Sequence, residues 1–69
     1  MKIIRQIKFT GKNLNDVFNL PCVKSVLKID KQPVLELWGI YLNSRGYSRK
    51  FCEIGKTLVE YENNLWEIK

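Results

Sequence analysis

Turn-forming residues interrupt this chain about every ten positions, and that spacing is the tightest constraint on its fold. The breaks fall at Thr10-Gly11, Pro21, Asp30-Lys31-Gln32-Pro33, Asn43-Ser44-Arg45-Gly46, Gly55-Lys56 and Asn63-Asn64. Between them there is room for short strands and one helix of about two turns. The 69 residues make one domain, 1–69. A domain of this size buries only about 60% of the surface its unfolded chain exposes. With 45% apolar and 28% charged residues, the chain has the makings of a packed core rather than of disorder.

From Lys2 to Phe9 the side chains alternate. Ile3, Ile7 and Phe9 share one face, with Arg5 as the exception, and Ile4, Gln6 and Lys8 share the other. A short helix follows: Asn13 is placed to cap it, Asp16 suits its dipole, and Leu14, Val17 and Phe18 lie at helical spacing before Pro21 ends it. Cys22 to Ile29 reads as a second strand, with Val23, Leu27 and Ile29 on one face and Lys24 and Lys28 on the other.

Val34 to Leu42 supports two readings. Val34, Leu37, Trp38 and Tyr41 fit a helix, whereas Gly39 and the short flanking turns fit a strand with a kink or bulge. The strand is adopted here. Tyr47–Ile54, Thr57–Tyr61 and Leu65–Ile68 complete the strands, the last two joined at Asn63-Asn64, where Asn tolerates a left-handed backbone. The expected fold is α+β: a small antiparallel β-sheet of about five strands, with one short α-helix after the first strand and Lys and Arg guarding the edges.

The residue inventory narrows the chemistry. There is no histidine, so Ser25, Ser44 and Ser48 have no imidazole partner. Cys22 and Cys52 match no metal-ligand spacing and read as small buried hydrophobes of a reducing compartment, a disulfide requiring that the fold bring them together. Lys56 or Arg49 is the kind of neighbour that depresses a thiol pKa. No spacing singles out an acid–base pair among Glu36, Glu53, Glu60, Glu62 and Glu67, and their alternation with apolar residues suits the outer face of strands. The expectation is a protein without catalytic residues, metal or cofactor. Charges interrupt the apolar N-terminal run at once, and no stretch has the length of a spanning helix. A soluble, intracellular protein is expected, with no membrane partner.

Twelve Lys and Arg against seven Asp and Glu leave a charge of +5, which favours an acidic partner: nucleic acid, an acidic protein face or a phosphorylated small molecule, the competing reading being solubility alone. The candidate binding set is Tyr41, Arg45, Tyr47, Arg49 and Lys50, rings and cations around one hairpin. The competing reading is a solvated hairpin with cross-strand tyrosines, and Arg49 and Lys50, being adjacent, point to opposite faces of a strand. A secondary basic face, Lys8, Lys24 and Lys28, with Lys2 and Lys12 nearby, forms if the first two strands lie side by side. Otherwise it is the wet side of a sheet. Trp38 and Trp66 are expected in the core, an exposed Trp marking an interface anchor instead.

Two segments carry a resemblance. Ile7-Lys8-Phe9-Thr10-Gly11-Lys12-Asn13-Leu14-Asn15-Asp16-Val17 is an apolar strand ending in an aromatic, then Thr-Gly-x-Asn and a short acidic helix. Ile54-Gly55-Lys56-Thr57-Leu58-Val59 and Asn63-Asn64-Leu65-Trp66-Glu67-Ile68 form a closing hairpin. Together they resemble a family of small phage and prophage proteins. The chain departs from that pattern at Lys56, where Asp is usual, and at Asn64, where Gly is usual. The resemblance implies a small α+β accessory protein of phage or prophage origin with no catalytic residue to carry over. The leading expectation is a non-enzymatic protein that binds a host macromolecule, as a host-takeover or anti-defence inhibitor. The alternatives are nucleic-acid binding by the Tyr41–Lys50 hairpin, and a homo-oligomer that sequesters a nucleotide signal between protomers.

Overall fold

A computed structural model describes residues 2–42 and 50–69 of the chain. The strands sort by burial pattern into two sheets, not into the one sheet of about five strands expected from the alternation. Strand β1 is Ile3–Lys8, helix α1 is Leu14–Phe18, and β2 and β3 are Val23–Ile29 and Gln32–Leu37. Strand β4 is Phe51–Cys52, β5 is Thr57–Tyr61 and β6 is Leu65–Ile68. One antiparallel sheet has the order β1-β5-β6 and the other β2-β3-β4. The described chain is thus mostly β with one short helix.

The two hairpins are set by left-handed residues. Asp30 and Lys31 both have positive φ, 52° and 65°, the backbone of a tight two-residue loop between β2 and β3. Gln32 and Pro33, expected in that turn, already belong to β3. Pro33 is tolerated there because β4 reaches only Leu35 and Glu36, so β3 is still an edge at Pro33. Asn63 and Asn64, at φ 70° and 62°, turn the chain between β5 and β6 as expected.

Helix α1 forms, yet Asn13 does not cap it with its side chain. Instead its Oδ1 accepts bonds from the Thr10 amide at 3.0 Å and hydroxyl at 3.1 Å, and its Nδ2 donates to the Lys8 carbonyl at 2.7 Å. Asn13 therefore staples the exit of β1 rather than the start of the helix.

Both sheets turn one face to a shared core. Ile7, Leu58, Trp66 and Ile68 come from the first sheet, Val23, Leu35, Leu37 and Cys52 from the second, with Phe9, Val17, Leu20 and Cys22 from the connecting segments. Trp66 is fully buried, as expected, and its Nε1 has no hydrogen-bond partner among the described residues.

Two bulges change which residues face inward. The β1–β5 register slips between Ile3 and Arg5, and the β2–β3 register slips between Val23 and Ser25. Arg5 consequently shares a side with Ile7, and Ile3 does not. On β2 it is Val26 that packs on the core, while Leu27 and Ile29, expected inside with Val23, are exposed. The expected strand Val34–Leu42 also ends early. Its sheet part stops at Leu37, and Gly39–Tyr41 forms a single 3-10 turn. The expected strand Tyr47–Ile54 is paired at Phe51 and Cys52, and its first residues lie outside the described ones. Leu42 bridges to Trp66 in parallel and so ties the end of this segment to the edge of the first sheet.

Candidate binding surface

Of the five hairpin residues read from the sequence, Arg45, Tyr47 and Arg49 lie outside the described residues. Tyr41 is half-buried and packs against the core from the 3-10 turn. Lys50 is exposed. Its carbonyl accepts the Leu37 amide at 2.7 Å, and its aliphatic stem lies over Gly39. A Cβ on Gly39 would sit 3.0 Å from Lys50 Cε, so glycine leaves the space that this lysine occupies.

The secondary basic face does not assemble as expected. Lys8 is on β1 of the first sheet, whereas Lys24 and Lys28 are on β2 of the second, so the first two strands are not neighbours. The reason is register: β1 finds its partner in β5, and β2 in the hairpin strand β3. Lys24 instead sits over the indole of Trp38, its Nζ 5.2 Å from the ring centroid.

Trp38 corrects the expectation of a core residue: it is 45% exposed. Its amide donates to the Cys22 carbonyl at 2.8 Å, which fixes the backbone just beyond β3 while the ring stays at the surface. Ile40, in the following turn, is 81% exposed. From Trp38 an apolar surface continues along the outer face of the second sheet. Register places Leu27 beside Val34, and Ser25, Glu36 and Phe51 in one cross-strand row. Leu27, Ile29, Phe51 and Ile54 are exposed. Glu36 in the middle accepts a bond from the Ser25 hydroxyl at 2.8 Å. At the far end an open depression of about 280 Å³ lies between Ile29, Pro33, Val34 and Ile54, bordered by Asp30 and Glu53.

The sequence signal for this surface was present. Val34, Leu35, Leu37 and Trp38 on one strand, and Val26, Leu27 and Ile29 on the other, place apolar residues at both parities. One core cannot take both faces of a sheet.

The remaining polar side chains form structural pairs. Arg5 Nε is 2.6 Å from Glu60 Oε1, and its guanidinium stacks 5.4 Å from the centroid of Trp66. Glu60 is therefore not on an outer face, as its alternation suggested. The Tyr61 hydroxyl donates to Glu67 Oε1 at 2.6 Å, and Lys69 Nζ lies 3.5 Å from the same oxygen. Cys22 and Cys52 are both buried and free. Burial pushes the Cys22 thiol up to about 12 and the Cys52 thiol up to about 11. Lys56 does act on Cys52 in the depressing direction, but loss of hydration outweighs it. The described residues contain no group of three or more Cys, Asp or Glu placed to hold a metal ion. Among them, no helix is long and apolar enough to cross a membrane.

No family model, curated protein or solved structure matches this chain.

Proposed function

We propose that the chain is a non-enzymatic accessory protein, of phage or prophage origin, that binds a host macromolecule through a basic and aromatic surface. The observation that carries the reading is Trp38: a large ring left open to solvent with the Lys24 ammonium over it, followed by a turn in which Ile40 is exposed and Lys50 lies over Gly39. Exposed tryptophan is costly to leave in water and is enriched where interfaces are anchored. The charge of +5 directs such a surface toward acidic partners. The origin rests on the resemblance at Ile7–Val17 and Ile54–Ile68.

A host protein fits better than nucleic acid. Lys24 occupies one face of the Trp38 ring, and of the other exposed residues on this side Ile40, Leu27 and Ile29 are aliphatic and do not stack on bases, leaving Phe51 as the one further ring there among the described residues. The test is affinity capture from bacterial lysate with and without nuclease treatment. One stoichiometric protein that survives nuclease is the expected result. Recovery that vanishes with nuclease moves the function to nucleic acid, and recovery of nothing at low salt removes the reading.

A further inference from the structure

We infer that the outer face of the second sheet, from Trp38 across Phe51 and Leu27 to the depression at Val34 and Ile54, docks an acidic polypeptide segment bearing apolar side chains. This rests on the reading of the chain as a binding protein and names the surface and the chemistry of its partner.

An antiparallel sheet with one face in the core ordinarily keeps its other face polar. Here β2, β4 and the residue that follows β3 present Leu27, Ile29, Phe51 and Trp38 outward, all of them exposed, around the buried Val34. Contiguous apolar surface of this kind marks an interaction site. The depression at its far end, about 280 Å³, is smaller than a typical small-molecule pocket and has the size for one or two partner side chains.

Charge decides the occupant. The ion pairs among the described residues are Arg5–Glu60 and Glu67–Lys69, both on the first sheet. Among the described residues, Lys24 and Lys50, at the Trp38 end of the face, have no carboxylate within ion-pair distance, and Glu36 in the middle accepts from the Ser25 hydroxyl while keeping its charge. Carboxylates of a partner complete that end. Asp30 and Glu53 border the depression at the other end, so the segment lies with its acidic residues at Trp38 and a neutral or basic apolar stretch at Val34. A second copy would set its Asp30 and Glu53 against these lysines only when turned end for end, and the +5 carried by each whole chain opposes that pairing.

The experiment is selection of a random peptide display library on the immobilised full chain, followed by anisotropy titration of labelled winners. Winners are expected to combine Asp or Glu with Leu, Ile, Phe or Trp. Their affinity falls roughly tenfold or more in Trp38→Ala and in Leu27→Ser. It falls roughly fivefold in the double variant Lys24→Glu/Lys50→Glu and is unchanged in Lys8→Glu on the first sheet. Circular dichroism confirms that each variant folds, as expected for exposed positions. The inference is overturned by a selection with no binders, or by winners indifferent to Trp38 and Leu27. It is equally overturned by a dimer in sedimentation that Leu27→Glu dissolves, or by nucleic acid that competes with the winners. Lysate capture that persists in the face variants would leave the broader reading standing and move the surface elsewhere. Failed capture by the unaltered chain removes both.

Discussion

The two sheets share a core but treat their outer faces differently. On the first sheet, Val59 is fully buried although it points away from the core residues Leu58 and Ile68. It lies between Gln6 and Glu67, next to the Tyr61–Glu67–Lys69 group, so polar side chains close that face. Among the described residues of this sheet, Ile3 and Ile4, at the bulged start of β1, are the large apolar side chains that remain open. On the second sheet Val34 is likewise buried, but Leu27, Ile29 and Phe51 around it, and Trp38 just beyond β3, stay open. Two sheets of the same strand count and the same hydrogen-bonding logic thus differ in whether folding finishes the surface. The lesson is that the first sheet is closed on both faces, whereas the second leaves open on its outer face the surface proposed above for docking.

The sharpest way to break that comparison is to truncate one tryptophan from each sheet. Trp66→Ala empties the middle of the core and is expected to cost about 3–5 kcal/mol in urea unfolding. Trp38→Ala, at an open position, is expected to stay within about 0.5 kcal/mol. Similar losses for the two would mean that Trp38 is covered after all.

Alkaline pH probes the inner face of the second sheet. Both thiols have folded pKa values raised by burial, from 9.0 to about 12 for Cys22 and about 11 for Cys52. As pH rises past 9 the unfolded chain releases these protons first, so it binds fewer than the folded chain and stability falls. Thermal melts should drop between pH 9 and 11, and the drop should be shallower in Cys22→Ala/Cys52→Ala. Lys69, raised chiefly by its hydrogen bond to Tyr61, adds to the decline in the same direction. A flat profile over that range would show the thiols to be hydrated.

A smaller effect is expected from Arg5→Ala, which leaves Glu60, only 13% exposed in its side chain, without its cation beside Trp66. The cost should be about 1–3 kcal/mol in the same unfolding assay. Arg5→Lys should recover only part of it, because lysine offers neither the planar fork nor the stacking.

The smallest effects separate the two hairpins. Lys31 holds a left-handed backbone that its side chain disfavours, so Lys31→Gly should stabilise the second sheet by about 0.5–1 kcal/mol. Asn64→Gly, in the turn of the first sheet, should give roughly a few tenths of a kcal/mol, since Asn already tolerates that region. Equal gains would remove the distinction.

Local signals in the chain were readable and long-range pairings were not. The strands Thr57–Tyr61 and Leu65–Ile68 lie where alternation and Asn63-Asn64 put them, because residue pattern and turn chemistry agree over a short span. Helix α1 is legible for the same reason. The division into two sheets depends on β1 finding β5 across most of the chain, which no local pattern encodes. The bulges at Ile4 and Lys24 shift the parity of β1 and β2 by one, so Ile3, Leu27 and Ile29 were assigned to the wrong side. Gly39 correctly marked a break, but the strand stops just before it, and Trp38 is thereby carried out of the core. For the candidate site, Lys50 lies over Gly39 of the 3-10 turn while Tyr41 of that turn packs on the core, and Lys8 is separated from Lys24 by the sheet division. Trp38 and Phe51 entered through exposure, which composition does not report.

The most direct test is a proton–nitrogen correlation spectrum of the isotope-labelled chain, titrated with an acidic, apolar peptide from the library selection. The account predicts shifts concentrated at Leu27, Ile29, Val34, Phe51 and the Trp38 indole, with the Trp66 indole and β1 unmoved. Shifts confined to Ile3–Lys8 and Leu65–Ile68 would contradict it.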